Sequence, residues 1–221
     1  MEGVKEVMNV ASILESTSVI IASVIASVTV IFGVNAWRRE YIGKKKLELA
    51  EEVLALFYEA QDTISYIRNP FSFVGEGSTR NVAPNESTEE KQINNNANVV
   101  FERYEKRKDL FNKLYSMRYR YMAQFGKDSA KPFEDLRKIV NDIFISARML
   151  PHFWLDQGRR QWKNDQEFQE HLKEMHRCEA IFWEKSSEKD PIIPRVNLVI
   201  SDIEAQSLRI IGKSKTKDIK K

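Results

Sequence analysis

From Ser16 to Trp37 the chain reads STSVIIASVIASVTVIFGVNAW, without one Asp, Glu, Lys, Arg or His. A helix of that length rises about 33 Å at 1.5 Å per residue, enough for a hydrocarbon core about 30 Å thick. An interfacial helix needs a strongly charged face, which this stretch lacks. The segment therefore reads as a single transmembrane helix over 16–37, behind a short segment, 1–15.

The flanking charges set the expected orientation. Val34, Asn35 and Ala36 loosely resemble a signal-peptide cleavage site, but a signal peptide carries its positive charge before the apolar stretch. Here Arg38, Arg39, Lys44, Lys45 and Lys46 follow it, while Glu2, Glu6 and Glu15 outnumber Lys5 ahead of it. Basic residues beside a span stay on the cytoplasmic side. The expectation is an inner (cell) membrane protein with its N-terminus outside and a large cytoplasmic domain. Trp37 and Tyr41 fall where aromatic rings favour the headgroup region, and the basic cluster beside them would meet anionic membrane lipid.

Small residues are segregated within the span. At about 100° per residue, Ala22, Ala26, Thr29 and Gly33 share a narrow stripe. Ile21, Val24, Ile25, Val28, Ile31 and Phe32 lie opposite. Lipid tails accept bulky side chains anywhere, whereas small ones let a second backbone approach closely. The span is thus expected to form a homo-oligomer.

The remaining chain has room for one domain. At 42% hydrophobic and 30% charged residues, the full sequence has the composition of a chain that buries a core. The lone Cys178 fits a reducing compartment, since it has no intramolecular disulfide partner. Leu47, Ala50, Leu54, Phe57 and Ile64 recur at helical spacing and predict an amphipathic helix from about Arg38 to Ile67, continuous with the span. Pro70 ends it, and residues 69–98, rich in Gly, Pro, Ser and Asn, read as a long irregular loop. A second helix is predicted from Val99 to Phe125. A third is capped by Asp128 or Ser129, with the stripe Leu136, Val140, Ile143, Ala147 and Leu150, and is kinked or ended by Pro151. A fourth starts at Asn164 or Asp165, with Phe168, Leu172, Met175 and Phe182 inward. The last, after Pro191 and Pro194, carries Val196, Val199, Ile203 and Ile210. Lys213 to Lys221 form a basic tail expected to be disordered. The fold class is all-α: a transmembrane helix followed by a cytoplasmic antiparallel helical bundle over 38–212.

Motifs for chemistry are missing from the sequence. His171 and His176 stand five residues apart, about 140° around a helix, too far to share a metal as an i, i+4 pair does. There is no Glu-x-x-His, nucleophile elbow, phosphate loop or dinucleotide fingerprint. No catalytic, cofactor-binding or metal-binding residue is assigned, and enzyme function is disfavoured. The second helix is basic and tyrosine-rich, with Arg103, Lys106, Arg107, Lys108, Lys113, Arg118 and Arg120 among Tyr104, Tyr115, Tyr119 and Tyr121. These charges are scattered around the helix, so a solvated surface is expected rather than a nucleic-acid interface. Arg159, Arg160 and Trp162 form a smaller basic and aromatic point. Phe71 and Phe73, in the irregular loop, either pack back on the bundle or serve a protein partner.

These readings favour a membrane-tethered interaction or regulatory module without catalytic chemistry. The alternatives are a membrane-acting effector whose self-assembling span perturbs the bilayer and, third, a membrane-associated enzyme.

Overall fold

In the computed structural model the backbone is described for residues 2–185 and 189–218, and side chains for residues 18, 21–185 and 189–211. Its elements are α1 (Glu2–Arg68), α2 (Thr88–Glu105), α3 (Lys108–Phe125), a 3-10 turn (Lys127–Ala130), α4 (Lys131–Arg159), α5 (Asp165–Phe182) and α6 (Ile193–Asp218). Among the described residues there is no strand, and the fold is all-α as its stripes imply. The chain divides into two compact units, Met1–Glu48 and Leu49–Lys221. Among the described residues one helix, α1, is long and apolar enough near its N-terminus to cross a membrane.

The second unit is a helical bundle with α4 at its centre, packed against α2, α5 and α6. All five residues of the stripe from Leu136 to Leu150 are buried, joined by Phe133 and Ile139. Phe133 meets Phe57 of α1 edge-on at 4.9 Å and Tyr121 of α3 at 5.6 Å, so three helices converge on one ring. Cross-links show that neighbours run antiparallel. Lys131 pairs with Asp202 and Asp142 with Arg195 between α4 and α6, while Tyr58 reaches Glu204 and Gln61 reaches Asn197 between α1 and α6.

Several boundaries differ from expectation, each for a local reason. Pro151 neither ends nor breaks α4, which runs on to Arg159. An interior proline costs about 3 kcal/mol, but the residues just beyond it are held to α5. Trp154 donates to Glu179 at 2.8 Å and lies edge-on to Phe182, and Phe153 packs on His171. Neither Asp128 nor Ser129 caps α4; the 3-10 turn leads straight into it, and the Ser129 hydroxyl donates to the Gly126 carbonyl instead. The segment expected as one helix from Val99 to Phe125 is two. Glu105 to Asp109 are all charged and exposed, so nothing apolar holds that turn to the core, and Arg107 N–H closes back on Tyr104.

The irregular segment is also shorter than expected, because α2 begins at Thr88 rather than Val99. Ser87 and Glu90 form a capping box: Ser87 Oγ accepts from Glu90 N–H, and Glu90 accepts from Ser87 N–H. Asn164 caps α5 as expected. Val196, Val199 and Ile203 are buried on α6, Ile210 is half-buried, and Pro194 sits in the first turn, where its missing N–H is tolerated. The α6 backbone stays helical through Lys213 to Asp218, where disorder was expected. Residues 219–221 of that tail lie outside the described residues.

Candidate functional site

The feature that stands out is the loop between α1 and α2. Phe71 and Phe73 are 84% and 82% exposed, and Val74 is fully exposed. They do not pack back on the bundle. Yet the loop beneath them is fastened at many points, and its centre is Arg103 of α2, a residue expected on a solvated face and in fact buried.

Arg103 forms a fork with Glu76: Nε donates to Oε1 and Nη2 to Oε2, each at 2.8 Å. The guanidinium also donates to the carbonyls of Tyr66, Ile67 and Asn69, satisfying orphan acceptors at the end of α1, and to Phe71 O at 2.7 Å. Its cation lies over the Tyr66 ring. One side chain thus ties together the end of α1 and both flanks of the Phe71–Val74 tip. The Arg103 bond holds the Glu76 carboxyl below its ordinary range against burial, which pushes it up, with a lesser contribution from the Phe73 N–H.

Glycine and asparagine do the remaining fastening. Gly77 has φ +85°, and a Cβ there would lie 2.0 Å from Asn95 O, so only glycine fits. Its N–H donates to Glu102 and its carbonyl accepts from Asn98 Nδ2. Arg80 forks Glu86 and donates to Asn95, while Asn94 also reaches Glu86. The asparagines that suggest an irregular loop are instead the polar face by which α2 grips it. Arg159 of α4 clasps Glu89 and Glu90 at the start of α2. The Ser87 N–H first, then Arg159, hold the Glu90 carboxyl down to about 2. Beside the tip lies an open cleft of about 480 Å³, bordered by Phe73, Val74, Ser78, Lys91, Gln92 and Asn95.

A second clamp ends α5. Arg68 and Asp190, both buried, pair through two bonds of 2.8 and 3.1 Å, and Arg68 also donates to the carbonyls of Ala180, Ile181 and Trp183. Burial pushes the Asp190 carboxyl up. Arg68 and the N–H groups of Lys185, Ile193 and Ile192 outweigh it and hold the carboxyl low.

The residues singled out in the first unit line up on α1. Trp37 stacks on Tyr41 at 5.7 Å, with Lys45 over the Tyr41 ring, forming an i, i+4 ladder. Arg38, Arg39, Lys44 and Lys46 stand on the same helix, and Arg39 Nε donates to Asn35 O. Ala22, Ala26, Thr29 and Gly33 are exposed, and nothing lies within 4 Å of where a Cβ would sit on Gly33. Thr29 and Ser27 spend their hydroxyls on the carbonyls of Ile25 and Ser23.

The other candidates are dispersed. His171 is buried between Trp162 and Phe153 with Nε2 unpartnered, and His176 is exposed. Cys178 is buried, which pushes its thiol up. Among the described residues no three His, Cys, Asp or Glu side chains are placed to hold a metal. Lys106, Lys108 and Lys113 pair with Glu102, Glu105 and Glu52. Compared with protein-family models, curated proteins and solved structures, the chain matches none of them.

Proposed function

We propose that this chain is a membrane-tethered interaction module: the span in α1 holds it at the inner membrane, its bundle lies in the cytoplasm, and the Phe71–Val74 tip binds a protein partner. The observation that carries this reading is the exposure of three large apolar side chains on a loop clamped by Arg103 and Glu76. Exposed apolar side chains are a standing cost in water, and each gains about 1.5–3 kcal/mol on full burial. A loop already ordered loses little further entropy when it docks. Replacing both Phe71 and Phe73 by Ser should abolish partner recovery from membranes while leaving the melting temperature unchanged. Undiminished recovery would refute the assignment of the tip.

A second reading, a membrane-acting effector, rests on the exposed stripe Ala22, Ala26, Thr29 and Gly33. Overexpression that causes dye leakage, lost on deleting residues 16–37, would favour it.

A further inference from the structure

The cleft of about 480 Å³ beside the Phe71–Val74 tip has two walls: the loop from Ser72 to Glu76, and the face of α2 that carries Thr88, Lys91, Gln92, Asn95 and Asn96. Resting on the reading of the tip as a protein contact, we infer that this cleft takes an extended, acidic peptide segment of the partner, held through that segment's backbone.

The loop wall offers backbone groups at every second residue. Residues 71–73 are neither helical nor in a turn. Phe71 N–H donates to Asn69 Oδ1 and its carbonyl accepts from Arg103, while Phe73 N–H donates to Glu76 Oε2 and its carbonyl accepts from Glu76 N–H. Both phenylalanines thus have their backbone groups tied into the loop and its clamp. Ser72 and Val74, which border the cleft, make no such bond among the described residues. An edge strand presents the same alternation to a strand that adds to it.

The α2 wall supplies matching side chains. Lys91, Gln92, Asn95 and Asn96 stand three and four residues apart and so share one face. Gln92 and Asn96 are exposed and bond to nothing else among the described residues, and Asn95, whose Oδ1 accepts from Arg80, keeps its amide hydrogens free. A carboxamide carries the donor and acceptor groups of a peptide bond. A helix docking here would bring backbone groups already bonded within itself, whereas an extended segment brings them open. From Thr88 to Asn96 α2 rises about 12 Å, the span of about four extended residues.

Charge narrows the choice of segment. Glu76, the one acid among the residues lining the cleft, is already forked by Arg103. Lys91 is exposed, with no carboxylate within ion-pair distance among the described residues. An Asp or Glu of the segment would meet it, while apolar side chains of the segment rest on Phe73 and Val74.

Random dodecapeptides displayed on phage, panned against the full chain in phosphatidylcholine nanodiscs, supply the probe, and an enriched peptide is then synthesised for titration. Enriched sequences should share a large apolar residue and an Asp or Glu. Methylating the peptide's backbone nitrogens one at a time should weaken binding about fivefold or more at alternate positions and leave those between unaffected. Gln92→Ala combined with Asn96→Ala should weaken it about fivefold or more at an unchanged melting temperature, and Lys91→Glu should turn the preference from acidic to basic peptides. A peptide that needs Phe71 and Phe73 but is indifferent to N-methylation and to the α2 substitutions would overturn this inference and leave the tip contact standing. No enriched peptide, or one indifferent to replacing Phe71 and Phe73 by Ser, would overturn the contact and the inference together.

Discussion

Arg103 and Glu76 face each other through two parallel hydrogen bonds of 2.8 Å, with side chains only 2% and 6% exposed, directly beneath three apolar residues that water surrounds. The pairing explains how a loop with a solvent-exposed apolar tip stays ordered. Removing one partner strands the other as an uncompensated buried charge, which typically costs 3–5 kcal/mol. Arg103→Met should therefore destabilise the protein by about 3 kcal/mol in chemical denaturation and accelerate hydrogen exchange across residues 71–78. Unchanged exchange there would show that the loop does not depend on the clamp.

Two glycines in the same loop separate strain from steric conflict. Gly75 and Gly77 share a positive φ, but nothing lies within 4 Å of a Cβ on Gly75. Gly75→Ala should cost about 1 kcal/mol for the backbone alone. Gly77→Ala, driven against Asn95 O, should cost clearly more and loosen the loop from α2. Equal melting temperatures for the two variants would contradict this packing.

Acid should loosen both clamps in one direction. Glu76 and Asp190 have folded pKa values held below their ordinary ones, and Glu90 is held down to about 2. Each contributes stability that is fully present above the unfolded value, about 4. That stability is lost as pH falls through the folded value. The melting temperature should be level down to about pH 5 and fall from there toward pH 2. Asp190→Asn should melt lower at neutral pH and show a shallower acid limb.

The apolar periodicity made the bundle legible. Leu136 through Leu150 and Val196 through Ile203 point inward where their spacing puts them. The clamps were not legible in that way. Arg103 looks like any member of a basic helix, and its partner lies 27 residues away; Arg68 finds Asp190 at a separation of 122. Charge carries no periodic signature, so sequence offers no means of pairing such residues. The start of α2 at Thr88, expected at Val99, did carry a local signal, because Ser87 followed three residues later by Glu90 is a capping box. The asparagines around it masked that signal, since they favour irregular structure in isolation and helix only when tertiary partners such as Arg80 and Gly77 take up their side chains.

Within the span, a residue of the wrong size distinguishes the two faces. Ala26→Ile should reduce cross-linked oligomer in native membranes without affecting insertion, because it blocks close backbone approach. Val28→Ile, on the bulky side, should change nothing. Equal cross-linking in both variants and the parent would remove the packing role of the stripe. Orientation has its own test in Cys178: a membrane-impermeant thiol reagent should fail to label it in intact cells and succeed after permeabilisation and mild denaturation, the latter needed because the thiol is buried.

The most direct test of the loop as a contact is site-specific photo-cross-linking in intact cells. A photoreactive residue at Phe73 should give a discrete adduct with a partner protein, and the same residue at the exposed Leu208 of α6 should not. Adding Arg103→Met should abolish the Phe73 adduct, because the tip is then no longer held out. Identical patterns from Phe73 and Leu208, or no adduct from Phe73, would contradict the account.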